Sequence, residues 1–227
     1  MNSKNLEMIL AVHKGLADLA DEAVFIGGAV TEFYADNPQP EEIRPTIDVD
    51  IVLEVATKGK YNEFEEKLRA LGFKNDISKE APICRWIYKG IMVDLMPDNE
   101  AILGFSNKWY RNGIKTAIKI EHENVLLNIF KVEYYVATKI EAIFGRGFSD
   151  LRASHDFEDL IYVFDNMNEI YQNLKNGDTE VYKFILKSLV KFKAKEEFWE
   201  AIEGNLPYGE PMRFNRIKEV ITAIINH

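Results

Sequence analysis

"TIDVDIVLEV" (residues 46–55) decides how the chain is read. On an extended strand successive side chains point to opposite faces, so Ile47, Val49 and Ile51 fall on one side and Asp48, Asp50 and Val52 on the other. The two aspartates then lie on one face about 7 Å apart. Carboxylates held that close repel each other unless a cation sits between them. Hard divalent cations take oxygen ligands, and Mg²⁺ commonly takes one or two protein carboxylates together with substrate phosphates. The plainer reading is a solvent-facing strand with polar alternation. Val52, which continues the same face, weighs against it.

Downstream, "ICRWIYKGIMVDLMP" (83–97) predicts two strands joined at Lys89-Gly90. On the second, Met92, Asp94 and Met96 share one face and Ile91, Val93 and Leu95 the other. Asp94 is therefore a third mid-strand carboxylate; its ordinary reading is a half-exposed acid beside Lys89 or Arg85. If the two aspartate strands are neighbours, Asp48, Asp50 and Asp94 converge on one or two metals. Such a pair of metals clamps the attacking and leaving oxygens of an in-line phosphoryl displacement. Upstream, "AVFIGGAV" (23–30) predicts a short strand running into a turn at Gly27-Gly28 and a short helix over 29–35. Glycine lets the backbone approach a phosphate closely, and the first turn of a helix offers free N–H groups to an anion. Alone, the glycine pair is a turn and the Asp-x-Asp a strand end; together and in this order they are far more specific.

In these three elements, "FIGGAV", "TIDVDIVL" and "IMVDLMP", the sequence resembles the DNA polymerase β-like nucleotidyltransferases. "RPTIDVDI" is more narrowly similar to the AbiEii/AbiGii-type group, the nucleotidyltransferase toxins of abortive-infection and toxin–antitoxin systems. The resemblance implies an α+β nucleotidyltransferase fold, a short mixed β-sheet with helices on one face, followed by a helical domain that closes the nucleotide cleft. It implies transfer of an NMP from an NTP such as ATP to a hydroxyl of an RNA end (tRNA included), a protein or a small molecule, with Mg²⁺ or Mn²⁺. Asp48, Asp50 and Asp94 would hold the metal, and Gly27 and Gly28 the triphosphate. An antitoxin protein is an implied partner. "VATKIEAIFGRGFSDLRASHDFEDLIYV" (136–163) is similar to that group's lysine-bearing helix and following acidic helix. On that likeness Lys139 contacts the phosphates and Asp156 orients or deprotonates the acceptor. Two departures stand out. The gap between Gly28 and Asp48 holds 19 residues, longer than the usual spacing, and Ala29 stands where many members carry a hydroxyl, leaving Thr31 as the nearest substitute.

Other expectations rest on the residues themselves. Phe157, Leu160, Ile161 and Phe164 define a helical stripe, from whose centre Asp156 lies roughly 90° away and Asp159 roughly 150° away. Asp156 can thus look into a cleft, while Asp159 faces water. The plainer role for Asp156 is a first-turn acid behind an N-cap Ser154, and for Lys139 a lysine at the edge of a buried stripe. Arg44 and Arg146 are candidate phosphate ligands because a guanidinium forks onto phosphate oxygens; each is equally readable as an ordinary surface arginine. His155, in a first turn, reads as a surface residue. "KFILKSLVKFKAK" (183–195) carries five lysines and no acid, the solvated side of an amphipathic helix or an RNA-facing stripe. The first reading is favoured, with Phe184, Leu186, Leu189, Val190 and Phe192 as core.

Composition bounds the rest. The 227 residues, 47% of them hydrophobic, suffice for a sizeable core. A formal charge of −9 argues against a sequence-blind nucleic-acid coat. One cysteine, Cys84, rules out an internal disulfide framework and fits a reducing compartment. The first residues read as an amphipathic helix over 5–20 rather than a signal peptide, and no apolar run approaches the ~18 residues of a membrane span. A cytoplasmic protein is expected. The division expected is 1–110 for the α+β part and 111–227 for the helical part, with "NVLLNIFKVEYYV" onward helical. Two other functions stay open: a catalytically silent nucleotide-binding or interaction protein on the same fold, and metal-dependent phosphoester hydrolysis.

Overall fold

A computed structural model describes residues 3–226. The chain divides into two compact units: Met1–Val30 with Pro40–Lys131, and Thr31–Gln39 with Val132–His227.

The first unit is built on a mixed sheet. Helix α1 (Lys4–Leu16) is capped by the Ser3 hydroxyl, which accepts from the amide of Leu6, and leads to strand β1 (Val24–Ile26). Strand β2 (Asp48–Leu53) is followed by α2 (Lys58–Ala70), β3 (Lys74–Asn75), β4 (Arg85–Tyr88) and β5 (Ile91–Pro97). Then come α3 (Glu100–Leu103), α4 (Tyr110–Lys115), β6 (Ile118–His122) and β7 (Val125–Ile129). The order across the sheet is β3-β4-β5-β2-β1-β7-β6, with β2 parallel to β5 and β1 parallel to β7. The β4–β5 turn is the expected one: Lys89 and Gly90 both take positive φ (49° and 84°), as a two-residue hairpin loop requires.

One face of this sheet is apolar. Val49, Ile51, Trp86, Val93 and Leu95 are fully buried there. Helix α1 lies on it closely enough that a Cβ on Gly15 would stand 2.5 Å from the Tyr88 ring. Helix α2 adds Tyr61, whose hydroxyl donates to the Leu95 carbonyl at 3.2 Å, and Arg69, stacked over Trp86. The polar residues of β2 and β5 are thereby turned to the opposite face, where the Tyr110 hydroxyl of α4 meets Met96 Sδ.

The second unit is helical: α5 (Val132–Ala142) running into a π-helical turn, then α6 (His155–Asn166), α7 (Ile170–Lys175), α8 (Thr179–Lys193), α9 (Phe198–Gly204) and α10 (Pro211–Ile225). Phe157, Phe192 and Phe198 meet edge-on in its core. Among the described residues no helix is long and apolar enough to cross a membrane.

Several expectations are corrected. "VLLNI" (125–129) is strand β7, not helix, because Glu123 and Asn124 take positive φ (48° and 64°) and fold it back on β6 as a hairpin. Two sheet strands therefore lie beyond residue 110, and the helical unit takes up the chain at Val132. The short helix expected over 29–35 is present as a 3₁₀ helix over Gly28–Tyr34, whereas the first helix, expected over 5–20, ends at Leu16. Ile47 precedes β2 and is 67% exposed. Val190 is exposed as well, since the buried stripe of α8 runs through Val181, Ile185, Leu189 and Phe192.

Helix α10 is tied to α6 by Asp165, which is buried and accepts from Arg213 Nε at 2.7 Å and Arg216 Nη2 at 2.8 Å. Charge-assisted bonds of this kind contribute about 1.5–3 kcal/mol. Asp165→Ala is expected to lower the unfolding free energy by about 2 kcal/mol and Tm by roughly 4–8 °C, as read by thermal denaturation.

Candidate active site

The register of three strands assembles a row of side chains on the face of the sheet opposite α1. Asp50 of β2 stands opposite Asp94 of β5, Asp94 opposite Arg85 of β4, and Ile26 of β1 opposite Asp50. Directly opposed residues share a face, so Arg85, Asp94 and Asp50 form a line, with Asp48 one pleat along. The Arg85 guanidinium lies over this line. Its Nε and Nη2 fork onto the two oxygens of Asp94, each at 2.7 Å, and Nη2 also reaches Asp48 Oδ2 at 2.9 Å. Side-chain exposures of 16% for Arg85, 26% for Asp48 and 12% for Asp94 place the cluster at a partly sheltered edge open to solvent.

Asp50 is held differently. Gly27 has φ +77°, a backbone that L side chains rarely adopt, and a Cβ there would stand 1.9 Å from Asp50 Oδ2. The carboxylate thus lies directly against the glycine turn, and the bend after β1 and the second aspartate of β2 fit only as a pair. Gly28 opens the 3₁₀ turn that follows.

Electrostatics mark Asp48 out. Burial and the Asp94 charge raise its pKa, against the lowering pull of Arg85, its own backbone and Arg44. Next to the row, burial and then the Asp94 charge push the Cys84 thiol up to about 12, so it is no nucleophile at neutral pH. The Asp94 hydrogen bond holds the Arg85 guanidinium protonated, with its pKa further raised. As placed, no three His, Cys, Asp or Glu side chains among the described residues are grouped to hold a metal ion. The donor set is nevertheless all oxygen, which suits a hard divalent cation, and a guanidinium already fills the part of a cation between Asp48 and Asp94. The residues fit such a group in charge and ligand chemistry.

The remaining candidates from the sequence fall elsewhere. Arg44 is half-buried in the sheet unit, near enough to act on Asp48. In the helical unit Lys139 is 6% exposed, with its ammonium 3.2 Å from Asp156 and 2.6 Å from Asp159. Arg146 donates from Nε to Asp156 at 2.8 Å. Lys139, Asp156 and Asp159 thus form a buried cluster, and Arg146, its side chain 73% exposed, reaches Asp156 from the surface. Asp159 does not face water: it is 2% exposed, because Lys139 of α5 draws it inward, an attraction invisible to the stripe of its own helix. Ser154 caps α6 as expected, accepting from the amide of Phe157 at 3.3 Å, and His155 is a surface residue beside Glu158. The Thr31 hydroxyl is buried against that of Tyr135 at 2.6 Å rather than offered to a ligand. The sequence offered Arg85 only as a neighbour in the ordinary reading of Asp94; the structure pairs the two and brings Asp48 to the same guanidinium. The signal was available: a two-residue turn at Lys89-Gly90 pairs Tyr88 with Ile91, and counting outward brings Arg85 to Asp94.

A cavity of about 730 Å³ lies at the other end of β2, lined among others by Leu53, Val55, Lys60, Phe64 and Lys67. It contains none of these carboxylates.

Solved structures show the same fold. An antigenic nucleotidyltransferase-like protein from Paracoccidioides brasiliensis superposes with a TM-score of 0.54 at 15% identity, covering 89% of this chain and 94% of its own. The antibiotic-resistance factor ANT(2'')-Ia superposes with a TM-score of 0.51 at 12% identity, covering 84% of this chain and 95% of its own. No family model matches the sequence, and no curated protein matches it. The chain therefore has a nucleotidyltransferase-like α+β fold.

Two expectations follow from the geometry. Gly27→Ala forces a side chain into Asp50 at a left-handed residue, which alone costs about 1–2 kcal/mol; a denaturant titration should show at least that loss. For Asp48, ionisation is what the fold resists. Its raised pKa means that the stability present with the carboxyl neutral is lost as pH rises through the folded value. Asp48→Asn, uncharged throughout, should melt above the native chain at pH 7, and the gap should narrow as pH falls toward about 4.

Proposed function

We propose that the protein transfers an NMP from an NTP to a hydroxyl acceptor, with release of pyrophosphate. One observation carries this reading: Asp50 stands opposite Asp94 in the β2–β5 ladder and packs against Gly27, so carboxylates and glycine turn lie side by side. The fold shared with an antigenic nucleotidyltransferase-like protein and with the antibiotic-resistance factor ANT(2'')-Ia supports it. Asp48, Asp50 and Asp94 would hold Mg²⁺ or Mn²⁺, which when bound supplies charge neutralisation at the phosphates and lowers the pKa of a coordinated hydroxyl. The backbone at Gly27 and Gly28 would receive the triphosphate, with Arg44 as a further phosphate ligand. Roles for Lys139, Arg146, Thr31 and Asp156 rest on the resemblance alone. Lys139 already bonds Asp156 and Asp159, and Thr31 shares a hydrogen bond with Tyr135. An RNA or protein acceptor, a toxin's role with an antitoxin partner, and a cytoplasmic setting belong to the same proposal through the likeness of "RPTIDVDI".

A second reading, a silent nucleotide binder on this fold, is favoured by one feature: Arg85 already lies on Asp48 and Asp94. Incubation with each α-phosphate-labelled NTP, Mg²⁺, and cellular RNA or protein separates the two. The transferase reading expects label in an acceptor, lost in Asp48→Ala while the variant keeps its native melting profile. NTP binding without any labelled acceptor favours the silent binder, and full transfer by Asp48→Ala removes Asp48 from the chemistry.

A further inference from the structure

We propose that the Arg85 guanidinium is a built-in competitor for the cation position between Asp48 and Asp94, so that a divalent cation enters only when this side chain swings out. The inference deepens the transferase reading and rests on its assignment of Asp48, Asp50 and Asp94 as metal ligands.

Arg85 is placed by the sheet and not by chance. Its backbone is pinned on both sides: its amide donates to the Pro82 carbonyl at 2.9 Å, and its carbonyl accepts from Asp76 at 3.0 Å. The two-residue hairpin fixes it opposite Asp94, on the carboxylate face. Only the side chain is left to move. Its fork covers both oxygens of Asp94 and one of Asp48, which are the lone pairs a hard cation would use. The remaining nitrogen, Nη1, has only the weak acceptor Met92 Sδ at 3.5 Å. The side chain already touches solvent, at 16% exposure, as does Asp48 at 26%.

A protein whose binding-competent state is fractionally populated loses apparent affinity by that fraction. A guanidinium held by three charge-assisted bonds to two carboxylates keeps the competent state rare. If the latch is open a tenth of the time, removing it tightens cation binding about tenfold.

The test uses the full chain and Mn²⁺ alone, followed by calorimetric titration and by the electron paramagnetic resonance signal of free Mn²⁺. Arg85→Gln should bind Mn²⁺ about tenfold tighter than the native chain, and saturating Mn²⁺ should raise its Tm more than the native protein's. Should Arg85→Gln fail to fold, Arg85→Lys serves: an ammonium cannot fork onto a carboxylate, so tighter binding is again expected. Equal or weaker Mn²⁺ binding by a folded variant overturns the latch, as does no measurable Mn²⁺ binding by native and variant alike. Tighter binding by Arg85→Gln with no labelled acceptor from the native protein keeps the latch and removes the transferase reading. Transfer by the native protein with unchanged Mn²⁺ affinity in Arg85→Gln does the reverse.

Discussion

The parallel pairing of β2 with β5 is the constraint on which the candidate site depends. It sets Asp50 across from Asp94, and a slip of one residue would send one of them to the opposite face. What holds the register is not the carboxylates, whose like charges oppose the pairing. It is the other face, where Val49, Ile51, Val93 and Leu95 are sealed under α1 and α2 beside Trp86. Hydrophobic burial has no direction of its own, but on a strand with a period of two it dictates where every polar neighbour points. The core positions the acids by claiming the residues between them.

Both units meet the cost of sheltered carboxylates with opposed cations, and with different balance. In the helical unit Lys139 and Arg146 face Asp156 and Asp159, and Arg213 and Arg216 hold Asp165. Such sets are poor evidence of net stability, because desolvation offsets most of the attraction; they fix geometry. In the sheet unit one guanidinium serves two carboxylates, with Asp50 beside them, and the Asp48 pKa is raised despite it. The raised pKa of Asp48, which burial and the Asp94 charge produce against the pull of Arg85 and Arg44, is what marks the sheet cluster.

Much of this was legible in the residues. Alternation placed Asp48, Asp50 and Asp94 on the correct faces, and Lys89-Gly90 announced the β4–β5 hairpin. The β6–β7 hairpin was missed because "NVLLNIF" is an apolar run too short to show its period, and its turn, Glu123-Asn124, lacks the glycine that would mark it. Asp159 was misread because the angle round one helix says nothing of a lysine arriving from another. Arg85 was within reach by counting from the turn. How the three carboxylates stand relative to one another was not, since it depends on which strand neighbours β2, and parallel neighbours leave no local signature.

The junction of β1 with β7 bears on how the molecule comes into being. Phe25 pairs with Ile129, so the outer edge of β1 has no strand beside it until almost the whole sheet unit has been synthesised. The segment 31–39 likewise belongs with helices that begin at Val132. During translation the glycine bend after β1 leaves the ribosome early, while the strand that flanks it comes late. A nascent chain stopped before residue 118 would carry Asp48, Asp50 and Asp94 on a sheet with a bare, apolar border at Val24, Phe25 and Ile26, the kind of edge on which unfinished chains pair with one another.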